Sequence, residues 1–111
     1  MIENFKIILK ILTYLNKSLD EECFDPDLIS ASTLGITEMR RNNLLEMLFD
    51  AGYIKGLTVK YYVDGDFVVT NLDKTKITLK GLEYLETNTI FKRIQKAAKG
   101  INEMIPGIQE F

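Results

Sequence analysis

The chain has 111 residues, of which 46% are hydrophobic and 27% are charged, and its net charge is −2. A chain of this length can bury one modest core, so we expect a single domain with an appended terminal segment. The composition is that of a folded domain and excludes an intrinsically disordered protein. It has no histidine and one cysteine, which excludes an internal disulfide and removes the commonest zinc ligand and the commonest general base. No phosphate-binding loop or cofactor fingerprint is present. We therefore predict a cytoplasmic protein that is not an enzyme and that uses no metal, cofactor or membrane.

Charge is unevenly distributed along the chain. Residues 1–30 carry three lysines and six acids, a net charge of −3, whereas residues 74–99 carry seven Lys or Arg and two acids, a net charge of +5. Cationic side chains that neutralise phosphates supply most of the non-specific affinity of proteins for DNA. The overall acidity is therefore unfavourable for DNA binding, and the position of the cations matters more than their number.

The first 36 residues predict two helices and a turn. Residues 2–19 have an apolar stripe at the helical period, and we expect that stripe to face the core. The stripe consists of Phe5, Ile8, Leu9, Leu12 and Leu15. Asp25 and Pro26 are typical of a helix start, so a short second helix is predicted from there to Gly35, which can end it with a positive φ.

A third helix is predicted from Thr37, a good N-cap, to about Ala51, with Gly52 ending it. Its apolar side consists of Leu44, Leu45, Leu48 and Ala51. The opposite side is polar, apart from Met39. This helix therefore has one face for the core and one face for solvent or a partner.

A β-hairpin is predicted from Tyr53 to Leu72, because apolar residues there alternate with a period of two. Asp64 and Gly65 separate the two runs, which indicates a two-residue type I′ turn with positive φ at both positions. Tyr62 opposite Phe67 is the expected cross-strand packing pair. A short strand at residues 76–77 should follow the hairpin.

The fourth helix is predicted to begin after Thr78, with Leu79, Leu82 and Leu85 on its apolar side. Residues 87–89 are weak helix formers, so a break or bend is expected there. This divides the chain into a domain of residues 1–87 and a C-terminal amphipathic helix with an apolar tail, residues 88–111.

The C-terminal segment has an apolar stripe flanked by the cations Lys92, Arg93, Lys96 and Lys99. Three interpretations compete: packing on a second subunit or on the same chain, contact with DNA, and binding to an acidic partner or membrane surface. We favour a homodimer or an intrachain contact. The residues predicted to make it are Ile90, Phe91, Ile94, Ala98 and Ile101.

This order of elements predicts an α+β, mainly helical fold: a winged helix-turn-helix with a β-hairpin wing and an added C-terminal helix. In such a fold the leading turn of the third helix can reach DNA bases, where Arg pairs with guanine and Asn with adenine. The predicted DNA-binding residues are Thr37, Arg40, Arg41, Asn43 and Lys60.

Three observations weigh against a simple DNA-binding role. The hairpin tip carries Asp64 and Asp66, which repel phosphate. Arg41 lies close to the apolar side of its helix, so it can lean onto a neighbouring loop. Met39 lies on the outward side, where it suits a protein contact as well as a thymine methyl group.

Four stretches together carry a family resemblance: NFKIILKILTYL, ISASTLGIT, AGYIKGL and ITLKGLEYLE. The chain resembles the YjcQ-type family, small winged-helix proteins of bacteria related to Bacillus and of their phages and prophages. The resemblance implies a winged-helix fold and a mobile-element origin, and it adds no catalytic residue.

Two functional hypotheses follow. The first is a phage- or prophage-type winged-helix protein that binds double-stranded DNA, as a homodimer, and regulates transcription. The second uses the same scaffold to bind a host or phage protein without DNA. A continuous positive surface across the third helix and the hairpin would favour DNA, and a patchwork of charges would favour a protein.

Overall fold

The structure is a computed structural model that describes the backbone of residues 2–98 and the side chains of residues 3–88. Its helices are α1 (Ile2–Lys17), α2 (Ala31–Leu34), α3 (Glu38–Asp50) and α4 (Leu79–Ala98). Its strands are β1 (Ile54–Lys55), β2 (Thr58–Tyr61), β3 (Phe67–Thr70) and β4 (Lys76–Ile77). The predicted α+β, mainly helical fold is confirmed, and the order of elements is consistent with a winged-helix layout.

Helix α1 forms where it was predicted, but its buried stripe differs at two positions. Ile11 is fully buried, although the predicted stripe omitted it. Phe5 is 52% exposed, so the prediction that it faces the core was wrong. Burial along α1 begins only at Leu9, and Phe5 lies ahead of that point. Position along the helix, and not only its angular period, therefore decides which residues are covered.

The predicted second helix is divided into two short pieces. Residues Pro26–Ile29 form a 3₁₀ turn, and Ser30 then adopts an extended conformation with ψ 157°. The Ser30 hydroxyl accepts a hydrogen bond from the backbone N–H of Thr33 at 3.2 Å, which caps α2. A serine that bonds its local backbone in this way offers an alternative to continuous helix, and this explains the interruption.

The turn into α3 and the cap of α3 agree with the sequence prediction. Gly35 ends α2 with a φ of +74°. The Thr37 hydroxyl accepts a hydrogen bond from the backbone N–H of Arg40 at 3.1 Å. Gly52 follows the last turn of α3 with a φ of +85°. These short-range signals determine the ends of α3 within about one residue.

The four strands form two antiparallel pairs. Strand β1 pairs with β4, with Ile54 opposite Ile77. Strand β2 pairs with β3 to form the hairpin, with Val59 opposite Val69. The predicted strand at residues 76–77 is therefore confirmed, and it joins the entry of the hairpin to the start of α4.

The hairpin turn differs from the prediction. Of its residues only Gly65 has a positive φ, +93°, whereas a type I′ turn requires two such residues. The Tyr62 N–H donates to the Asp66 carbonyl at 2.8 Å, and the Tyr62 carbonyl accepts from the Gly65 N–H at 3.0 Å. This is a three-residue loop in which glycine takes the left-handed position.

The longer loop shifts the cross-strand register of the hairpin. Phe67 lies opposite Tyr61, with ring centroids 5.8 Å apart, so the predicted pairing of Phe67 with Tyr62 was wrong. Because successive side chains of a strand point to opposite faces, this shift changes which tyrosine shares a face with Phe67.

One hydrophobic core joins these elements. Its fully buried members include Leu12 and Leu15 of α1, Leu45 of α3 and Ile54 of β1, and Leu85 of α4 is buried at its edge. Val59 and Val69 of the hairpin pack against this cluster from one side. Helix α3 therefore turns one face to the core and leaves its opposite face to solvent.

Helix α4 continues without interruption from Leu79 to Ala98. The predicted break at residues 87–89 was therefore wrong. The Asn88 side chain donates to the Tyr84 carbonyl at 2.8 Å, so this weak helix former bonds within its own helix. The side chains of Ile90, Phe91, Ile94 and Ala98, and the whole of Ile101, lie outside the described residues. The division into residues 1–87 and 88–111 stays a prediction.

Across residues 2–98, no helix combines the length and the apolar character needed to cross a membrane. The predicted cytoplasmic location stays a prediction.

Candidate interaction surface on helix α3 and the hairpin

The leading turn of α3 is exposed, as predicted, and it carries two of the candidate DNA-binding residues. Thr37 uses its hydroxyl to cap the helix. The Arg40 side chain is exposed, and its Nη1 donates to Oδ1 of Asn4 in α1 at 2.8 Å. This bond orients the guanidinium between two helices and occupies one of its five donors.

Arg41 faces the interior and not the solvent. Its residue is only 9% exposed, and its Nη1 lies 3.5 Å from the Ile29 carbonyl. Its Nε donates to the Asn42 side chain at 3.0 Å, and Glu38 lies 3.9 Å from its Nη2. As its position on the helix indicated, Arg41 leans onto the loop before α2.

Asn43 lies in a shallow open groove between the start of α1 and the outward face of α3. The groove has a volume of about 320 Å³. Its lining residues are Asn4, Thr37, Met39, Arg40, Asn43, Leu44 and Met47. Met39 and Met47 are 75% and 56% exposed, and together with Asn43 they form a row at four-residue spacing. The groove is therefore part apolar and part amide.

The hairpin contacts α3 through a hydrogen bond between side chains. The Tyr61 hydroxyl donates to Oε2 of Glu46 at 2.5 Å, and Tyr61 itself packs against Phe67 across the hairpin. This contact joins the outward face of α3 to the inner face of the hairpin. We call the combined area the α3–hairpin surface; it consists of Met39, Arg40, Asn43, Glu46, Met47, Asp50 and Tyr61.

Lys60 does not join this surface. It neighbours Tyr61 in β2, so it points to the opposite face of the hairpin, where it pairs with Val68. Its Nζ lies 5.9 Å from the centroid of the Tyr62 ring. The structure therefore brings Thr37, Arg40 and Asn43 together, but it places Arg41 inside and Lys60 on the other side of the hairpin.

The charges of α3 and the hairpin form an acidic patchwork. Residues 38–50 and 58–70 contain three cations and five acids, a net charge of −2. Because Arg41 is buried, two cations remain exposed, Arg40 and Lys60. The five acids are Glu38, Glu46, Asp50, Asp64 and Asp66. A continuous positive face is not present on this part of the molecule.

The hydrogen bond between Tyr61 and Glu46 changes the pKa of the Tyr61 hydroxyl. The hydrogen bond to Glu46, followed by desolvation and the negative charges of Glu46 and Asp50, raises the pKa of Tyr61 to about 12. The folded state therefore holds this proton more tightly than the unfolded chain, in which the pKa is 10.0. This contribution to stability is fully present below pH 10 and is lost as the pH rises toward about 12.

We expect the ultraviolet titration of the folded protein to include a late tyrosinate step at about pH 12 that belongs to Tyr61. Burial also raises the pKa of Tyr84, so in Tyr61→Phe the late absorbance change should shrink by one tyrosine. In Glu46→Gln the Tyr61 step should move toward the ordinary tyrosine range, because the charge and the strong acceptor are both removed. Tyr62→Phe is the matched control, and it should leave the late step unchanged. A late step of unchanged size in Tyr61→Phe would contradict the contact between the hairpin and α3.

The described side chains contain no group of three or more His, Cys, Asp or Glu that could hold a metal ion. Cys23 is exposed and unpaired by any disulfide. The α3–hairpin surface offers thioether and aromatic contacts, amide and guanidinium donors, and carboxylate acceptors.

Sequence reasoning missed Met47, the contact between Tyr61 and Glu46, and the position of Asn4 beside the groove. Met47 could have been found, because it continues the row of Met39 and Asn43 at helical spacing. The bond between Tyr61 and Glu46 depends on the hairpin register, which the predicted turn placed incorrectly. Asn4 gives no signal at all, because it is separated from Arg40 by 36 positions in the sequence.

Comparison with known proteins identifies the family of the chain. Neither the curated proteins nor the solved structures gave a match. The family described as YjcQ protein matches residues 9–104, which include the later part of α1 and all of α2, α3, the hairpin and α4. The resemblance found in the four sequence stretches is thereby confirmed, and the chain belongs to the YjcQ protein family.

Proposed function

We propose that this chain is a protein-interaction module that binds a host or phage protein through the α3–hairpin surface. One observation carries the proposal. Three large hydrophobic residues of the α3–hairpin surface are exposed: Met39 by 75%, Met47 by 56% and Tyr61 by 57%. Clustered exposed apolar residues mark interaction sites, whereas scattered ones need no explanation.

The residue types and the charges support the same proposal. Met, Tyr, Phe and Arg are enriched at protein interfaces relative to the rest of the surface. The five acids of α3 and the hairpin disfavour a polyanion, since each of them repels phosphate. A protein partner with a basic rim and an apolar centre matches both properties.

The second candidate function is binding of double-stranded DNA by a transcriptional regulator. The observation that favours it is the adjacency of Thr37, Arg40 and Asn43 on the exposed leading turns of α3. These side chains have the donors and acceptors that read guanine and adenine in a major groove. Arg41 is buried and Lys60 points to the opposite face of the hairpin. Fewer cations are therefore available to contact DNA than the sequence suggested.

A double substitution in the groove tests the protein-binding proposal. We expect Met39→Glu with Met47→Glu to abolish retention of a stoichiometric host protein from lysate, since two charges would enter the apolar groove. Leu79→Glu is the matched control, because Leu79 is 73% exposed but lies outside the surface. The control should retain the partner at the wild-type level. Equal retention by both variants would contradict the proposal.

A gel-shift titration at two salt concentrations tests the DNA candidate directly. DNA binding through cations would weaken steeply with salt, and Arg40→Ala would cost about 1–3 kcal/mol at a preferred site. We expect no specific shift. Salt-dependent binding that is lost in Arg40→Ala would establish the DNA function in place of the proposed one.

A further inference from the structure

We propose that the groove between the start of α1 and the outward face of α3 binds an amphipathic helix of the partner protein, through one carboxylate and two or more large apolar side chains of that helix. This inference rests on the proposed function and names the chemical class of the segment that the α3–hairpin surface recognises. Three features of the groove lead to it: an oriented guanidinium without an ion pair, an apolar lining, and walls that are helices.

The charge of the groove comes from one guanidinium. Of the lining residues only Arg40 is charged, and the neighbouring acids Glu3 and Glu38 are not among them. The Arg40 side chain is exposed, and the bond from its Nη1 to Oδ1 of Asn4, at 2.8 Å, fixes its orientation. The ion pair recorded among the side chains of residues 3–88 joins Arg41 to Glu38, so Arg40 has no carboxylate partner there.

An oriented guanidinium is suited to a carboxylate. It can pair with one through two parallel hydrogen bonds, and little side-chain freedom is lost because the fork is already held in place. Arg40 also lies in the first turn of α3, where the helix dipole favours a negative charge. The start of the groove is therefore complementary to an acidic side chain.

The rest of the groove is largely apolar. Leu44 is 2% exposed and forms the floor, while Met39 and Met47 are exposed along α3. Methionine is flexible and polarisable, and it adapts to apolar partners of irregular shape. Arg40 and Met47 are seven positions apart, about 10 Å along the helix. The occupant must therefore place its carboxylate about two helical turns from its farthest apolar side chain.

The helical walls of the groove determine the shape of the occupant. Backbone groups of α1 and α3 are bonded within each helix, so the groove has no sheet edge to which an extended peptide could add. An amphipathic helix instead presents side chains at i, i+3 or i+4, and i+7. The span from i to i+7 is again about 10 Å. A helix with an acid at one end of this pattern therefore fits the groove.

The acids of the α3–hairpin surface lie outside the groove. Glu46 and Asp50 do not line it, and Glu46 accepts the hydrogen bond of Tyr61. Cations of the partner can contact these acids beyond the end of α3 that carries Met47. A polyanion needs many cations, whereas a single carboxylate needs one. The groove is therefore better matched to an acidic helix than to DNA.

A phage-displayed library of helical peptides tests the inference without knowledge of the natural partner. The bait is the full wild-type chain, and the library randomises the exposed positions of a helix of about 14 residues, roughly 20 Å long. We expect the selected peptides to share one Asp or Glu, with large apolar residues three or four and seven positions away from it.

The most enriched peptide then enters a double-mutant cycle with Arg40→Gln. Replacing the acid of the peptide by its amide should weaken binding to the wild-type chain about fivefold. The same replacement should make no difference to binding by Arg40→Gln, because the partner of the acid is gone. Lys60→Gln is the matched control: it removes an exposed cation from the opposite face of the hairpin and should keep the fivefold difference.

Asn4→Asp gives an independent measurement on the same guanidinium. The new carboxylate has nearly the size of the amide and takes up Arg40 within the chain. We expect this variant to bind the selected peptide as weakly as Arg40→Gln does. An acid in the first turn of α1 is favourable for that helix, and circular dichroism checks that each variant is folded.

Three outcomes would overturn the inference: no enrichment of any peptide, selected peptides that share no acid, or a fivefold difference that survives in Arg40→Gln. The proposed function fails separately. If Arg40→Gln retains a lysate protein as well as the wild-type chain does, and Met39→Glu with Met47→Glu loses it, the surface binds a protein without an acidic helix. Only the inference is then refuted.

Discussion

Gly56→Ala should destabilise the fold by about 3 kcal/mol or more, the largest effect that we expect from any single substitution considered. Gly56 lies between β1 and β2 with a φ of +96°, a conformation that residues with a Cβ rarely adopt. A Cβ placed there would also overlap the carbonyl oxygen of Lys74 and come within 2.9 Å of its carbonyl carbon. Both groups are backbone, so neither can move aside as a side chain would.

The matched control for Gly56→Ala is Gly35→Ala. Gly35 also has a positive φ, +74°, but a Cβ there would meet nothing within 4 Å. We expect this control to cost only the conformational penalty, about 1–2 kcal/mol. Urea unfolding followed by circular dichroism compares the two free energies of unfolding. Equal losses in the two variants would show that the close approach of Gly56 to residue 74 is not present in solution.

Arg41→Ala is expected to lower the free energy of unfolding by about 1–3 kcal/mol. The substitution removes the long aliphatic stem from a residue that is only 9% exposed. It also removes the donor nearest to the Ile29 carbonyl, at 3.5 Å, and the donor to the Asn42 side chain. The ion pair with Glu38 adds little, because Glu38 is exposed and the two atoms are 3.9 Å apart.

Two variants separate the structural role of Arg41 from an effect of charge. Arg40→Ala removes the same charge one position earlier, from an exposed side chain, and should change stability by about 0.5 kcal/mol or less. Arg41→Met keeps much of the stem and should recover part of the loss. If Arg40→Ala and Arg41→Ala unfold at the same urea concentration, Arg41 does not anchor the loop before α2.

Much of the fold is predictable because its signals are local. Thr37 caps α3, Gly35 and Gly52 provide the positive φ that ends a helix, and the alternation after Tyr53 gives the hairpin. One of the failures, the division of the second helix, is also local in origin. Ser30 can cap a new helix as well as occupy an existing one, and the sequence does not decide between these states.

The candidate site was predictable only in part, because a site depends on neighbours that are distant in sequence. The helical period placed Met39 outward and Arg41 inward correctly. It could not show that Tyr61 reaches Glu46, since that contact follows from the three-residue loop around Gly65 and its effect on register.

The sequence by itself determined the family, the order of the helices and strands, and the acidic balance of α3 and the hairpin, because each of these depends on short-range preference or on composition. Tertiary structure decided which side chains form one surface. Packing turned Arg41 onto the loop before α2, joined Tyr61 to Glu46, and placed Asn4 beside Arg40. These outcomes depend on contacts between residues 12 to 36 positions apart, and no local preference encodes them.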